Sequence, residues 1–231
     1  MLLQEHDFIT LDFIGKVKET EEIFDITQES DAKRFHLYNP EKKYQPLTIC
    51  IGERHVVEGL DEFFKGKELG KTYTVVIPAE KAFGKRNPKL LRLVPMHAFH
   101  EHKIRPEPGL HVNLDGMLAT VRSVSGGRII LDFNHPLAGK DVEYTFTIHQ
   151  RIDSSEEKLK CLITFLMPGL PYTFKGSELH VDIALPEQLQ RILTEKITTL
   201  IPVITTVTFK KEELNKETSL EKKKTIPAPK V

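Results

Sequence analysis

Apolar and polar residues alternate along 7–18 (DFITLDFIGKVK), a period that predicts a strand. A charged break follows, then Ile23-Phe24-Asp25. Residues 28–46 are polar, carry Pro40 and Pro46, and read as a long loop. Residues 47–51 form a second short apolar strand. In 53–65 (ERHVVEGLDEFFK), Val56, Val57, Leu60 and Phe64 fall on one helical face, and Gly66 and Gly70 close the element. Residues 71–78 (KTYTVVIP) alternate again as a strand. Strands dominate and one short helix interrupts them, so the predicted fold class is α+β.

The pattern changes at 85–109, where KRNPKLLRLVPMHAFHEHKIRPEPG brings in Pro88, Pro95, Pro106 and Pro108. Strand-like segments at 110–114 and 117–124 flank Asp115-Gly116. The pair Gly126-Gly127 then leads into a strand at 128–133, a hairpin signal. That pair lacks the lysine and following helix of a phosphate-binding loop. Residues 141–152 (DVEYTFTIHQRI) form one more strand, with Val142, Tyr144, Phe146 and Ile148 on the same face. The polar stretch DSSEEK (153–158) reads as a linker to a separate small domain. There, strands at 159–166, 178–185 and 203–209 accompany one helix. Pro186 opens the helix, Pro202 ends it, and Leu189, Ile192, Leu193, Ile197 and Leu200 line one face. The Lys/Glu-rich tail 210–231 reads as frayed or disordered.

Charge narrows the functional classes. Lys plus Arg and Asp plus Glu balance at 33 each. No global field draws the chain to nucleic acid or to an anionic membrane. The basic run 85–92 (KRNPKLLR) has no interleaved aromatics and reads as a solvated face, so no nucleic acid is expected as partner. No apolar run approaches the ~18 residues of a membrane span. The start, MLLQEHDFIT, has no basic flank before an apolar stretch, so the expected location is the cytoplasm. Cys50 and Cys161 sit in apolar runs and are expected as buried thiols. His97, His100 and His102 (HAFHEH), with His111 nearby, are the rival metal reading. Their spacing is not the zinc-protease pattern, and no metal or cofactor is expected.

Residues 55–84 (HVVEGLDEFFKGKELGKTYTVVIPAEKAFG) resemble the central signature of FKBP-type prolyl isomerases. It comprises a short helix begun by V-[VI]-x-G, a glycine turn, a strand and P-x-x-x-A-[YF]-G. The segments 91–99 (LRLVPMHAF) and 134–146 (NHPLAGKDVEYTF) resemble the SlyD-type and archaeal subfamilies, in which an insert-in-flap chaperone domain interrupts the fold after A-[YF]-G. The resemblance covers roughly 5–152, and the C-terminal extension is similar to the long archaeal type. It implies an isomerase domain from 1–85 and 134–152, an insert at 86–133 and a C-terminal α+β domain at 155–231. The implied architecture is a half-wrapped antiparallel sheet around the short helix, with an apolar pocket between them.

Carried over by position, the resemblance makes Asp25, Phe83, Phe146 and the backbone N–H of Val57 the catalytic group. Phe13, Phe24, Leu47, Val56 and Leu60 become the substrate-binding walls. For each wall residue, plain core packing is the alternative. Phe83 lacks the hydroxyl of a tyrosine, and Leu47 and Leu60 replace bulkier groups, so compact pocket ligands should bind more weakly. The implied partners are unfolded or proline-containing polypeptides, with a homodimer through the C-terminal domain left open. Leu93, Val94, Met96, Phe99 and Met117 are the expected chaperone surface, or else the insert's own core. A holdase without isomerase activity is the competing function.

Overall fold

The computed structural model describes residues 2–101, 104–114 and 116–210. It divides into two compact units, one ending at Ile152 and the other starting at Asp153.

The first unit opens with β1 (Phe8–Val17), β2 (Ile23–Ile26), α1 (Glu29–Arg34), β3 (Leu47–Cys50), α2 (Glu58–Phe64) and β4 (Thr72–Ile77). The chain then builds β5 (Leu91–Pro95), α3 (Met96–Glu101), β6 (His111–Leu114), β7 (Met117–Ser125) and β8 (Arg128–Asp132). It returns to the first sheet as β9 (Val142–Arg151). That sheet runs β2-β1-β9-β4, with β3 also pairing β1, and every pair is antiparallel.

Period-two alternation decides its inner face. Leu11 and Phe13 from β1, Ile77 from β4, and Tyr144, Phe146 and Ile148 from β9 meet Leu60 and Phe64 of α2 in one buried cluster. Phe64, Phe146 and Leu60 are at most 1% exposed. Burying a side chain of this size contributes ~1.5–3 kcal/mol. The helix begins later than its apolar spacing predicts, because Val57 is an extended N-cap. The buried Asp61 carboxylate accepts from the N–H groups of Gly52 (2.9 Å) and Arg54 (3.0 Å), which holds the preceding residues as a turn. Within the expected loop 28–46, α1 forms a single short helix anchored by buried Ala32.

The interrupting segment makes its own antiparallel sheet, β5-β8-β7-β6. Ala119, Val121, Ile129 and Leu131 pack with Phe99 of α3 to form its core. Phe99 is 6% exposed, so it is a core residue, not part of a client-facing surface. Val94 and Met96 are half-buried against that core, whereas Leu93 and Met117 are exposed. Leu118, at 65%, is the most exposed large apolar residue of the sheet. Both chain crossings into this segment are tied together. Gly139 N–H donates to Gly84 (2.8 Å), Asn87 N–H donates to Asn134 Oδ1 (2.8 Å), and Arg86 pairs with buried Asp132.

In the second unit, residues 155–166 form a helix, α4 (Ser155–Leu166), where a linker and a strand are expected from the sequence. Ser154 caps it by accepting from Glu157 N–H, Glu156 and Glu157 occupy the first turn, and Leu159, Leu162 and Ile163 share the buried face. The remaining elements are β10 (Tyr172–Lys175), β11 (Glu178–Val181), α5 (Glu187–Leu200) and β12 (Thr206–Phe209), with sheet order β10-β11-β12. β11 and β12 are parallel, the arrangement a helical crossover permits. On α5, Leu193, Ile197 and Leu200 are buried, whereas Leu189 and Ile192 face outward. Cys50 and Cys161 are both buried thiols. The tail expected at 210–231 lies, beyond Lys210, outside the described residues.

Candidate functional site

The site grows from the open end of the first sheet. A string of aromatic rings runs across it. Phe13 and Tyr144 meet edge-on at 5.6 Å, Tyr144 and Phe24 at 5.7 Å, and Phe24 and Phe83 at 5.7 Å. His135 stacks flat on Phe83, with ring centroids 4.7 Å apart. Between them lies an open hollow of about 480 Å³ lined by Phe24, Asp25, Phe83, His135, Leu137 and Tyr144 among others. Such a hollow accommodates a proline ring and its neighbouring peptide groups with room to rotate.

Each wall has a local cause. Gly15 stands opposite Tyr144 in the β1–β9 register, where its missing side chain leaves room for the rings of Phe24 and Tyr144. A register shift in the β1–β2 ladder lies between Gly15 and Lys16. Behind Phe13, Thr27 Oγ1 accepts from Phe13 N–H (2.9 Å) and donates to Asp12 Oδ1 (2.7 Å). Asp12 Oδ2 also takes Gln28 Nε2 at 2.7 Å and lies 2.7 Å from His149 Nε2. Burial opposes the charge on Asp12, but the hydrogen bonds from Gln28, Thr27 and His149 outweigh it, and the carboxyl titrates below its ordinary value. This network holds β2 against β1 and thereby fixes where Phe24 and Asp25 stand.

Asp25 is at the rim. Its Oδ1 accepts from Ile26 N–H (2.9 Å) and pairs with Lys42 Nζ (2.7 Å), both side chains being partly exposed. Val57 N–H donates to no described residue, while its carbonyl accepts from Leu60 and Asp61. Phe13, Phe24, Leu47, Val56, Val57, Leu60, Phe83 and Phe146 all join one cluster. Phe24, Asp25 and Phe83 line the hollow itself.

Phe146 does not suit the catalytic role that the resemblance gives it. Its ring is 1% exposed and enclosed by Phe63, Phe64 and Tyr73 at 5.0–6.0 Å, so it supports the walls from beneath. Leu60 is likewise floor packing, not open wall. The late-strand aromatic at the hollow is Tyr144, two positions earlier on the same face. His135 and Leu137, within the NHPLAG segment, are further lining residues that the sequence reading left without a role. His97 is on α3 and His111 on β6, and no group of three metal-ligating side chains occurs among the described residues.

Comparison with known proteins agrees with this geometry. Residues 2–99 match FKBP-type peptidyl-prolyl cis-trans isomerase, and residues 92–137 match the FKBP26 IF domain. The chain is 32% identical over 147 residues to the short-type peptidyl-prolyl cis-trans isomerase of Methanocaldococcus jannaschii, covering 64% of this chain and 92% of that one. It is 29% identical over 120 residues to the FKBP-type isomerase SlyD of Helicobacter pylori, covering 50% and 64% respectively. It is 30% identical over 109 residues to the FKBP-type 16 kDa isomerase of Escherichia coli, covering 45% and 72%. An aromatic hollow at the open end of a sheet wrapped on one short helix, interrupted by an IF domain, places this chain in the FKBP-type peptidyl-prolyl cis-trans isomerase family.

Proposed function

We propose that the chain isomerises X-Pro bonds in unfolded or nascent polypeptides and holds those clients on its inserted domain, in the cytoplasm. The observation that carries the reading is the hollow lined by Phe24, Phe83 and Tyr144, with Asp25 at its rim. Rotation about a prolyl peptide bond faces a barrier of ~18–20 kcal/mol that arises from amide resonance. Water stabilises the planar, charge-separated amide. Aromatic walls exclude that water and favour the twisted state, in which the nitrogen is less conjugated. Val57 N–H, which donates to no described residue, supports a hydrogen bond to a substrate carbonyl, and Asp25 orders the rim. The step needs neither a nucleophile nor a cofactor.

The chaperone part rests on exposed Leu93, Met117 and Leu118, an adaptable apolar surface on a small sheet. The reading extends to self-association through the second unit, where Leu189, Ile192 and Val203 are exposed. Sedimentation showing a monomer at micromolar concentration would remove that part.

The test replaces residues 86–132 with a short loop. Turnover of a prolyl tetrapeptide should persist in part. Catalysed refolding of a proline-limited unfolded protein should fall at least ~10-fold further, because the insert raises the local client concentration. Equal losses on both substrates would refute the division of labour. A wild type that prevents aggregation yet turns over neither substrate would leave the holdase reading in its place.

A further inference from the structure

Among the side chains lining the hollow, Phe24, Phe83, Pro136 and Leu137 end in carbon, and besides Tyr144 only Lys140 and His135 can donate a hydrogen bond. Asp25 carries only acceptors when ionised, and its Oδ1 is engaged by Ile26 N–H and Lys42. Tyr144 is the donor held on a rigid, buried ring. Its ring is 5% exposed, wedged edge-on between Phe13 and Phe24, and it lines the hollow. Its hydroxyl makes no hydrogen bond to any described residue, yet it is not among the buried polar atoms left without a partner. A polar atom on a fixed aromatic ring, facing an open hollow and satisfied by no protein group, is arranged for a ligand.

We propose that the Tyr144 hydroxyl donates a hydrogen bond to a backbone carbonyl oxygen of the bound prolyl peptide and is a catalytic contact of the isomerase. Its geometry is over-determined. Gly15 lies across the ladder, and a Cβ there would come within 3.0 Å of Tyr144 Cε1, so the ring occupies space that only glycine leaves. Burial chiefly, and then the charge of Asp25, push the phenol above the ordinary tyrosine range, which keeps it a protonated donor across neutral pH. The hydroxyl also offsets the absence of one at Phe83, which lines the same hollow. The assignment rests on the isomerase reading. It adds a residue that packing alone treats as one more aromatic.

The test is Tyr144→Phe, which removes one oxygen and keeps the ring. On a prolyl tetrapeptide in a protease-free assay, kcat/KM should fall roughly two- to tenfold, the effect of losing one neutral hydrogen bond. The thermal midpoint should not move, because no protein partner is lost. No loss of wild-type rate from ionisation of the phenol should appear up to about pH 9, since burial holds it protonated above the ordinary tyrosine range. In wild type labelled with ¹³C-tyrosine, the Tyr144 ring signals should shift on titration with a proline-containing peptide, whatever the fate of the variant. Turnover of Tyr144→Phe equal to wild type per folded molecule, or ring signals unmoved by saturating peptide, would overturn the assignment while leaving the isomerase reading standing. A wild type with no turnover would overturn both.

Discussion

Gly15→Ala is the most direct way to move the walls of the hollow without touching a wall residue. A Cβ at this position would stand 2.7 Å from Cζ and 2.8 Å from Cε2 of Phe24, and 3.0 Å from Cε1 of Tyr144. Ordinary contact begins at 3.4 Å, so Phe24 must retreat by about 0.7 Å (3.4 − 2.7) and Tyr144 by about 0.4 Å (3.4 − 3.0). Tyr144 has nowhere to go, being 5% exposed and braced by Phe13. Phe24 is only half-buried, on a four-residue strand beside the open hollow, so it is the ring that yields. Overpacking by one methyl costs ~1–3 kcal/mol, and an escape route toward solvent places this case near ~1 kcal/mol. Catalysis depends on position far more steeply, since displacements near 1 Å can cost ~100-fold. The expected outcome is a tenfold or greater fall in kcat/KM for a prolyl tetrapeptide, with a urea midpoint only slightly lowered. Activity within twofold of wild type would refute the argument that Phe24 and Tyr144 form the working wall. So would a loss of activity fully accounted for by the unfolded fraction.

Two further substitutions probe the same neighbourhood. Phe83→Ala removes the ring that stacks on His135 and meets Phe24 edge-on, and should cut turnover about tenfold or more by admitting water. Phe83→Tyr should raise it roughly two- to tenfold if the added hydroxyl bonds only the twisted amide. An alanine variant as active as wild type would remove Phe83 from the site. Asp12→Asn should destabilise the first unit by roughly 1.5–3 kcal/mol at neutral pH, the range for hydrogen bonds to a charged group. The folded carboxyl titrates below its unfolded value, so this contribution is complete above about pH 4 and is lost as the pH falls through the folded value. Denaturation curves of the two proteins should therefore converge in acid. A gap that persists at pH 2 would show that the charge is not its source.

Much of the first sheet was legible because its long strands bury one face, and alternation along 7–18, 71–78 and 141–152 reports that burial directly. Alternation cannot say how far along a strand the open end lies. Tyr144 and Phe146 share a face, and only the pairing of Gly15 with Tyr144 distinguishes pocket wall from floor. The second unit misled for a related reason. A short apolar run at 159–166 is consistent with a strand or a buried helix, and the Ser154-to-Glu157 cap was the available signal that favours the helix. Phe99 stayed open between client surface and insert core because composition marks a small domain as apolar without telling which side chains it encloses. Lys42 reaches Asp25 from a polar segment with no periodicity, and a contact across 17 positions leaves no local trace.

The position of β9 has a consequence for how the protein is made. β9 hydrogen-bonds to both β1 and β4 and joins them into one sheet, yet it starts at Val142, after the whole interrupting segment. When the ribosome has delivered β1 through β4, the strand that bridges them does not yet exist. The inserted sheet, by contrast, has all of its strands by Asp132. The first sheet closes through contacts such as Asp12 with His149, 137 residues apart, and closure over that separation is slow. During synthesis the β1 and β4 edges therefore stay unpaired beside a finished insert. On the proposed division of labour, a nascent chain carries its client-holding element before its catalytic one, and its own unpaired strands are the first unfolded polypeptide within that element's reach.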